Sequence, residues 1–292
     1  FVKMYANPNI GQIELFTNAG YFSYHSIQFE VRRRFSQGLY FQANYTFSKN
    51  LTDTVGTSQA LFEPYLDNNR PKLDRQRADF DQTHVFNFNG IYQLPFGKGK
   101  MFLNNGGGWD KLFGGWEVSG LWQWSSGAPI SFLDPRGTFN RGTRSGRQTV
   151  NTTLTNAQIQ ALTGIFEQNG RIYYINPSIL NSSGQASPGY NYPGLNTNAP
   201  FAGQVFFNVA PGQVGTLGRT LINGPNYMNI NMALLKNVKF TESMRVQLRA
   251  EAFNVLNNVN LFNNTQLANI SSTTFGQITS AGDARIFQFA AR

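Results

Sequence analysis

MNINMALLKNVKFTESMRVQLRAEA, residues 228–252, decides how this chain folds. Met228, Ile230, Met232 and Leu234 face away from Asn229 and Asn231. After a short turn, Lys236 to Thr241, the alternation resumes. Met244, Val246, Leu248, Ala250 and Ala252 oppose Arg245, Gln247, Arg249 and Glu251. A period of two places apolar and polar side chains on opposite faces of an extended strand. Two such runs joined by a short turn read as a hairpin.

Outward from this hairpin the pattern recurs. Ile27, Phe29 and Val31 alternate with Gln28, Glu30 and Arg32. Leu39, Phe41, Ala43, Tyr45 and Phe47 alternate with Gln42, Asn44, Thr46 and Ser48. Phe86, Phe88, Gly90, Tyr92 and Leu94 alternate with Asn87, Asn89 and Gln93, with Ile91 breaking the polar set. Trp116, Val118, Trp122 and Trp124 alternate with Glu117, Ser119, Gln123 and Ser125. A seventh strand is expected from about Arg285 to the end, with Phe287, Phe289 and Ala291 opposite Gln288.

Composition agrees with an all-β protein. The chain holds 26 Phe, 12 Tyr, 4 Trp, 33 Asn and 29 Gly, and only 13% of its residues are charged. Disordered chains are poor in aromatics and rich in charge, which excludes that class. Asn and Gly are poor helix formers. The absence of cysteine excludes disulfides, thiolate metal sites and cysteine nucleophiles. No apolar run is long enough for a transmembrane helix.

Alternation suits two architectures. One is a soluble antiparallel sandwich, apolar inside and wet outside. The other is a membrane barrel, apolar toward lipid and polar toward the lumen. Connection lengths favour the barrel. Tight or shorter links (36–38, 95–115, 236–241) alternate with long ones (50–84, 127–226, 255–283), so every long one falls at the same end of the sheet. Outer-membrane barrels pair short periplasmic turns with long extracellular loops. Compact soluble domains seldom carry such long connections. Tyr92, Trp116, Trp122 and Trp124 suit an aromatic girdle at the bilayer interfaces. A closed sheet is required, because an edge inside lipid would leave backbone groups unsatisfied.

Five stretches resemble the C-terminal barrel region of Oar-like (carboxypeptidase-regulatory-like) TonB-dependent receptors. They are YHSIQFEVRRRFSQGLYFQANYTFSKNLTD (24–53), ADFDQTHVFNFNGIYQLPFGKGK (78–100), GGWEVSGLWQWSSGAPISF (114–132), GTLGRTLINGPNYMNINMALLKNVKFTESMRVQLRAEAFNVLNNVNLF (215–262) and RIFQFAAR (285–292). Together, in this order, they cover about half the chain. The resemblance implies a 22-strand barrel around a plug, energised by the TonB system, with outer-membrane lipid as the surrounding medium. No plug and no TonB box are recognised in this sequence. The expectation is therefore a partial barrel of seven or eight strands, residues 1–292, completed by further strands and a plug.

Candidate chemistry is sparse. Arg136, Arg141, Arg144 and Arg147 form a Gly/Arg run in the longest loop, able to meet phosphates on a polyanion or to sit solvated. Asp74, Asp79 and Asp81 have the oxygen chemistry for Ca²⁺, but Arg75 and Arg77 between them favour internal ion pairs. Arg245, Gln247, Arg249, Glu251, Asn229 and Asn231 are lumen-facing candidates. The simplest reading of the charged ones is a ladder of pairs across neighbouring strands. His25 and His84 lack the partners of a metal site or a triad, and no catalytic motif appears. GKGK and GGG near 97–108 are read as a turn. Asn44-Tyr-Thr46, Asn151-Thr-Thr153 and Asn181-Ser-Ser183 match glycosylation sequons, which an Asn-rich chain produces by chance. Thr155–Leu162 is expected to form a helical turn or two, with Thr155 as N-cap. The loop aromatics, Tyr173 to Phe207, are assigned to loop packing.

The expected function is non-catalytic ligand binding and uptake, with no cofactor and no nucleic-acid partner. The alternative is a soluble or surface-attached sandwich that binds glycan or protein through its loops.

Overall fold

A computed structural model describes residues 18, 20–53, 65–67, 70–104, 107–135, 148–188, 190–191, 196–197, 200–219, 221–239, 241, 244–262 and 269–292. Seven long strands form one antiparallel sheet in chain order. They are β1 (Phe22–Ser36), β2 (Leu39–Thr52), β3 (His84–Gln93), β4 (Trp116–Ser125), β5 (Tyr227–Lys239), β6 (Arg245–Phe253) and β7 (Ile286–Ala291). A two-residue strand, Gln76–Arg77, adds to the end of β2. β4 has the boundaries its alternation sets; β1, β2 and β5 run several residues further because backbone pairing continues past the clean pattern. A strand of ten tilted residues, the length of β3 and β4, is what a bilayer requires.

Local chemistry starts the meander. Gln37 and Gly38, at φ 52° and 79°, link β1 to β2. Positive φ at both central residues gives the I′ twist that matches paired strands, and glycine adopts it without a Cβ clash.

The register sorts the side chains. Phe29, Tyr45, Phe86, Trp124 and Met228 lie in one row across five strands. Val31, Ala43, Phe88, Trp122 and Ile230 form the next. Leu39, Tyr92, Val118, Leu234, Ala250 and Phe289 form another. Ring contacts knit the band: Phe86 meets Trp122 edge-on at 4.8 Å, and Phe41 stacks on Phe88 at 6.2 Å. His84 joins it too, its Nδ1 2.7 Å from the Tyr45 hydroxyl.

No second sheet covers this band among the described residues. Among the described residues, only Ala233 and Ala252 of the buried hydrophobics belong to the seven strands. Trp122 is 38% exposed, Leu248 is 48% exposed and Phe41 is half-buried. The sandwich alternative required these side chains inside a core, and the register places them on an open face. A contiguous apolar face this large is a contact surface. With a polar face behind it and long loops at one end, it is the wall of a membrane barrel.

The wall is not closed. Among the described residues, β1 and β7 each pair on one side only. In hydrocarbon a bare edge leaves its N–H and C=O groups unsatisfied, so closure needs a pairing partner for each.

The buried core lies beyond the wall, in the long connections. Phe132 and Phe206, from the β4–β5 connection, meet Phe275 from the β6–β7 connection, with ring centroids 4.8–6.2 Å apart. Val150, Ile159, Ile175, Leu217, Ile222 and Ile270 pack around them. Here α2 (Asn156–Ala161) carries a full capping box: Thr155 accepts from the Gln158 N–H, and Gln158 accepts from the Thr155 N–H. A hairpin, Thr163–Gln168 with Arg171–Ile175, turns on Asn169 and Gly170, both at positive φ. These segments form a cored cap at the loop end.

The face assignment has a direct test. Met232→Arg, mid-strand on the apolar face, is expected to cost about 2–4 kcal/mol of folding stability in bilayers. Gln247→Arg, on the polar face, should shift it by less than about 0.5 kcal/mol. Denaturant unfolding in lipid vesicles measures both; equal costs would contradict the register.

Candidate functional site

The polar face of the wall and the cap above it are the two surfaces available for ligand contact. On the wall, Glu30, Asn44, Asn87, Gln123 and Asn229 make one row. Arg32, Gln42, Asn89, Leu121 and Asn231 make the next. Gln42 donates to Glu30 at 3.1 Å and accepts from the Tyr40 hydroxyl at 3.4 Å. Gln93 donates to Glu117 at 3.3 Å, and Gln247 to Asn237 at 3.0 Å. Asn231 accepts from the Asn254 N–H at 2.9 Å, tying β5 to the end of β6.

The six lumen-facing candidates therefore share this face. Arg245 stands opposite Lys239 near the turn end. The expected ladder of cross-strand charge pairs is not what forms. Arg249 bonds Glu251 along its own strand, while the residues across from the two are Leu235 and Ala290, and Ala233 and Gln288. With apolar or neutral neighbours on both sides, the nearest opposite charge lies two residues along β6. Tyr40, Asn89, Ser119, Asn231, Arg249 and Glu251 line a shallow open groove of about 260 Å³. Among apolar neighbours such as Ile91, Leu121, Met232 and Phe253, it offers donors, acceptors and one charge of each sign.

The acidic run does the work expected of it, with one exchange of partners. Arg77 donates to Asp81 at 2.8 Å and to Asn223 at 2.8 Å, and the other Asp81 oxygen accepts from the Asn50 N–H at 2.8 Å. Asp74 pairs not with Arg75 but with Arg219 at 2.8 Å, both fully buried. Arg75 instead stacks over Tyr21 at 4.4 Å. The β2–β3 connection is thus stapled to β2 and to the β4–β5 connection. Asp134, also buried, accepts from Asn208 at 3.0 Å and from the Val209 N–H at 3.2 Å. Arg136, Arg141, Arg144 and Arg147 lie outside the described residues.

An uncovered apolar band, a polar inner face and a one-ended cap define an outer-membrane β-barrel wall. The family comparison agrees: the chain belongs to the outer membrane beta barrel domain family, whose model matches residues 2–288. No curated protein and no solved structure matches it. The membrane is accordingly the bacterial outer membrane, with the cap outside and the tight turns in the periplasm.

Two features escaped the sequence reading. Residues near 97–108 were expected to be a plain turn, yet α1 (Gly108–Phe113) follows directly, its WDKLF core masked by flanking glycines. The Arg219–Asp74 pair joins segments too distant for any spacing rule.

Two measurements probe the cap. Arg219→Met leaves Asp74 charged and uncompensated in a buried site, and is expected to destabilise the cap by about 3–5 kcal/mol. Hydrogen exchange should rise around 65–83 and 204–223 while the wall amides stay protected. Burial pushes the Tyr174 phenol above its ordinary value, partly opposed by Thr163, and its hydroxyl donates to the Asn223 carbonyl at 2.9 Å. Its folded value lies above the unfolded one, so this stabilisation is complete below the unfolded value and lost as pH rises through the folded one. Cap protection factors, corrected for base-catalysed intrinsic exchange, should therefore fall in strong alkali, and Tyr174→Phe should remove that component.

Proposed function

We propose that this chain forms wall and cap of an outer-membrane receptor that binds a ligand too large for a porin and takes it up with energy from TonB. The observation that carries the reading is the cored cap: loops that only joined strands would not need a buried phenylalanine cluster and buried ion pairs to hold a fixed shape. The polar groove below it supports passage of a polar solute, and the Oar-like stretches support the coupling to TonB. Outer-membrane lipid, further barrel strands and a plug, through which TonB would act, are the partners this reading requires. Catalysis has no part in it.

The test compares cells lacking the receptor with cells lacking TonB. Mass spectrometry of spent medium should show the same solute spared in both, and in cells whose receptor lacks residues 148–223. Uptake that persists without TonB would overturn the energy coupling. Uptake that survives loss of the cap would overturn the binding role.

A further inference from the structure

The β3–β4 connection, residues 94–115, is short for its end of the barrel only by comparison with the loops, and it is built unlike a solvated turn. Its helix α1 exposes Trp109 (67%), Leu112 (57%) and Phe113, with Trp109 stacked on Phe113 at 5.8 Å. Nearby, Met101 and Phe102 are also exposed.

Two side chains of the lipid-facing rows determine where α1 sits. Trp116 and Lys236 pair across β4 and β5 in the apolar register, one row below Val118 and Leu234. Trp116 Nε1 donates to the Leu112 carbonyl at 3.1 Å. Lys236 Nζ donates to the same carbonyl at 2.9 Å and to that of Gly114, with its ammonium 5.1 Å from the Trp116 ring centroid. The carbonyl end of α1 therefore lies against the outer face of the wall, not under the lumen. That contact also explains a lysine on a lipid-facing row: it is buried at 6% exposure by helix-terminal carbonyls, whose dipole favours a cation.

We propose that α1 is an interfacial foot that docks into the periplasmic phospholipid leaflet, with Trp109, Leu112 and Phe113 at the acyl boundary and Lys111 among the phosphates. Its apolar surface is continuous with the established lipid-facing band through Trp116. Tryptophan prefers that depth, and basic residues beside an apolar helix face suit anionic headgroups. Lys98 and Lys111 outnumber Asp110, whose carboxylate is already engaged by the Lys98 N–H at 2.6 Å, while Lys100 donates to Gln93 on the polar face at 3.0 Å.

Residues 1–292 hold no cysteine, so each introduced thiol is unique within them. The full-length protein, carrying Trp109→Cys or Leu112→Cys with a nitroxide label, is reconstituted into vesicles of phosphatidylethanolamine and phosphatidylglycerol. Phe289→Cys on the apolar face and Ser183→Cys on the cap are the lipid and water references. Heat-modifiable gel mobility certifies that each variant is folded, and the two foot positions substitute for one another. Labels at the foot should relax several-fold more with dissolved oxygen, relative to a water-soluble nickel complex, than the label at 183, at a depth short of 289. A foot label as nickel-accessible as 183 overturns the proposal. So does one shielded from both reagents, the signature of a second copy or another protein covering the helix.

Discussion

A peptide N–H or C=O left unpaired in hydrocarbon costs several kcal/mol, and the layout of this chain follows from that cost. Strands that pair in sequence order satisfy one another's backbone groups over the bilayer's thickness. Once the backbone is paired, the only freedom left is which side chains point to each face. The alternation resolves it, and the cross-strand register carries the choice over from strand to strand. The same rule requires a pairing partner for the edges of β1 and β7 that are open among the described residues.

Outside the bilayer the governing energy changes. In the cap, water is the solvent again, so apolar side chains cluster inward and leave the surface polar. The chain thus contains two opposite sortings, oily outside in the wall and oily inside in the cap. Charged groups mark the join. Arg77, Asp81, Asp74 and Arg219 tie the first long connection to the wall and to the second. A fixed cap above a polar groove is a surface of defined shape, which is what recognition of a particular solute needs.

The wall was legible in the sequence because its signal is local. Met228 to Leu234 or Trp116 to Trp124 announce their face within a few residues, and the alternation of connection lengths announces which end carries the loops. The cap was not, because its core is assembled from residues with no common period. Phe132, Phe206 and Phe275 become neighbours only in three dimensions. Within it, Thr155 and its helix were readable, since a capping box is a short-range device. Partner choice was the least readable level: Asp74 reaches past adjacent Arg75 to Arg219, and Arg249 bonds along its strand because its lateral neighbours carry no charge.

The three phenylalanines also set an order of assembly. Phe132 and Phe206 belong to the segment before β5, and Phe275 to the segment after β6. Their cluster cannot close until both segments have been carried across to the same side of the membrane. The cluster is therefore completed outside, after the hairpin between the two segments is in place. A barrel made this way completes its cap last, and a strand that fails to insert leaves no finished cap behind.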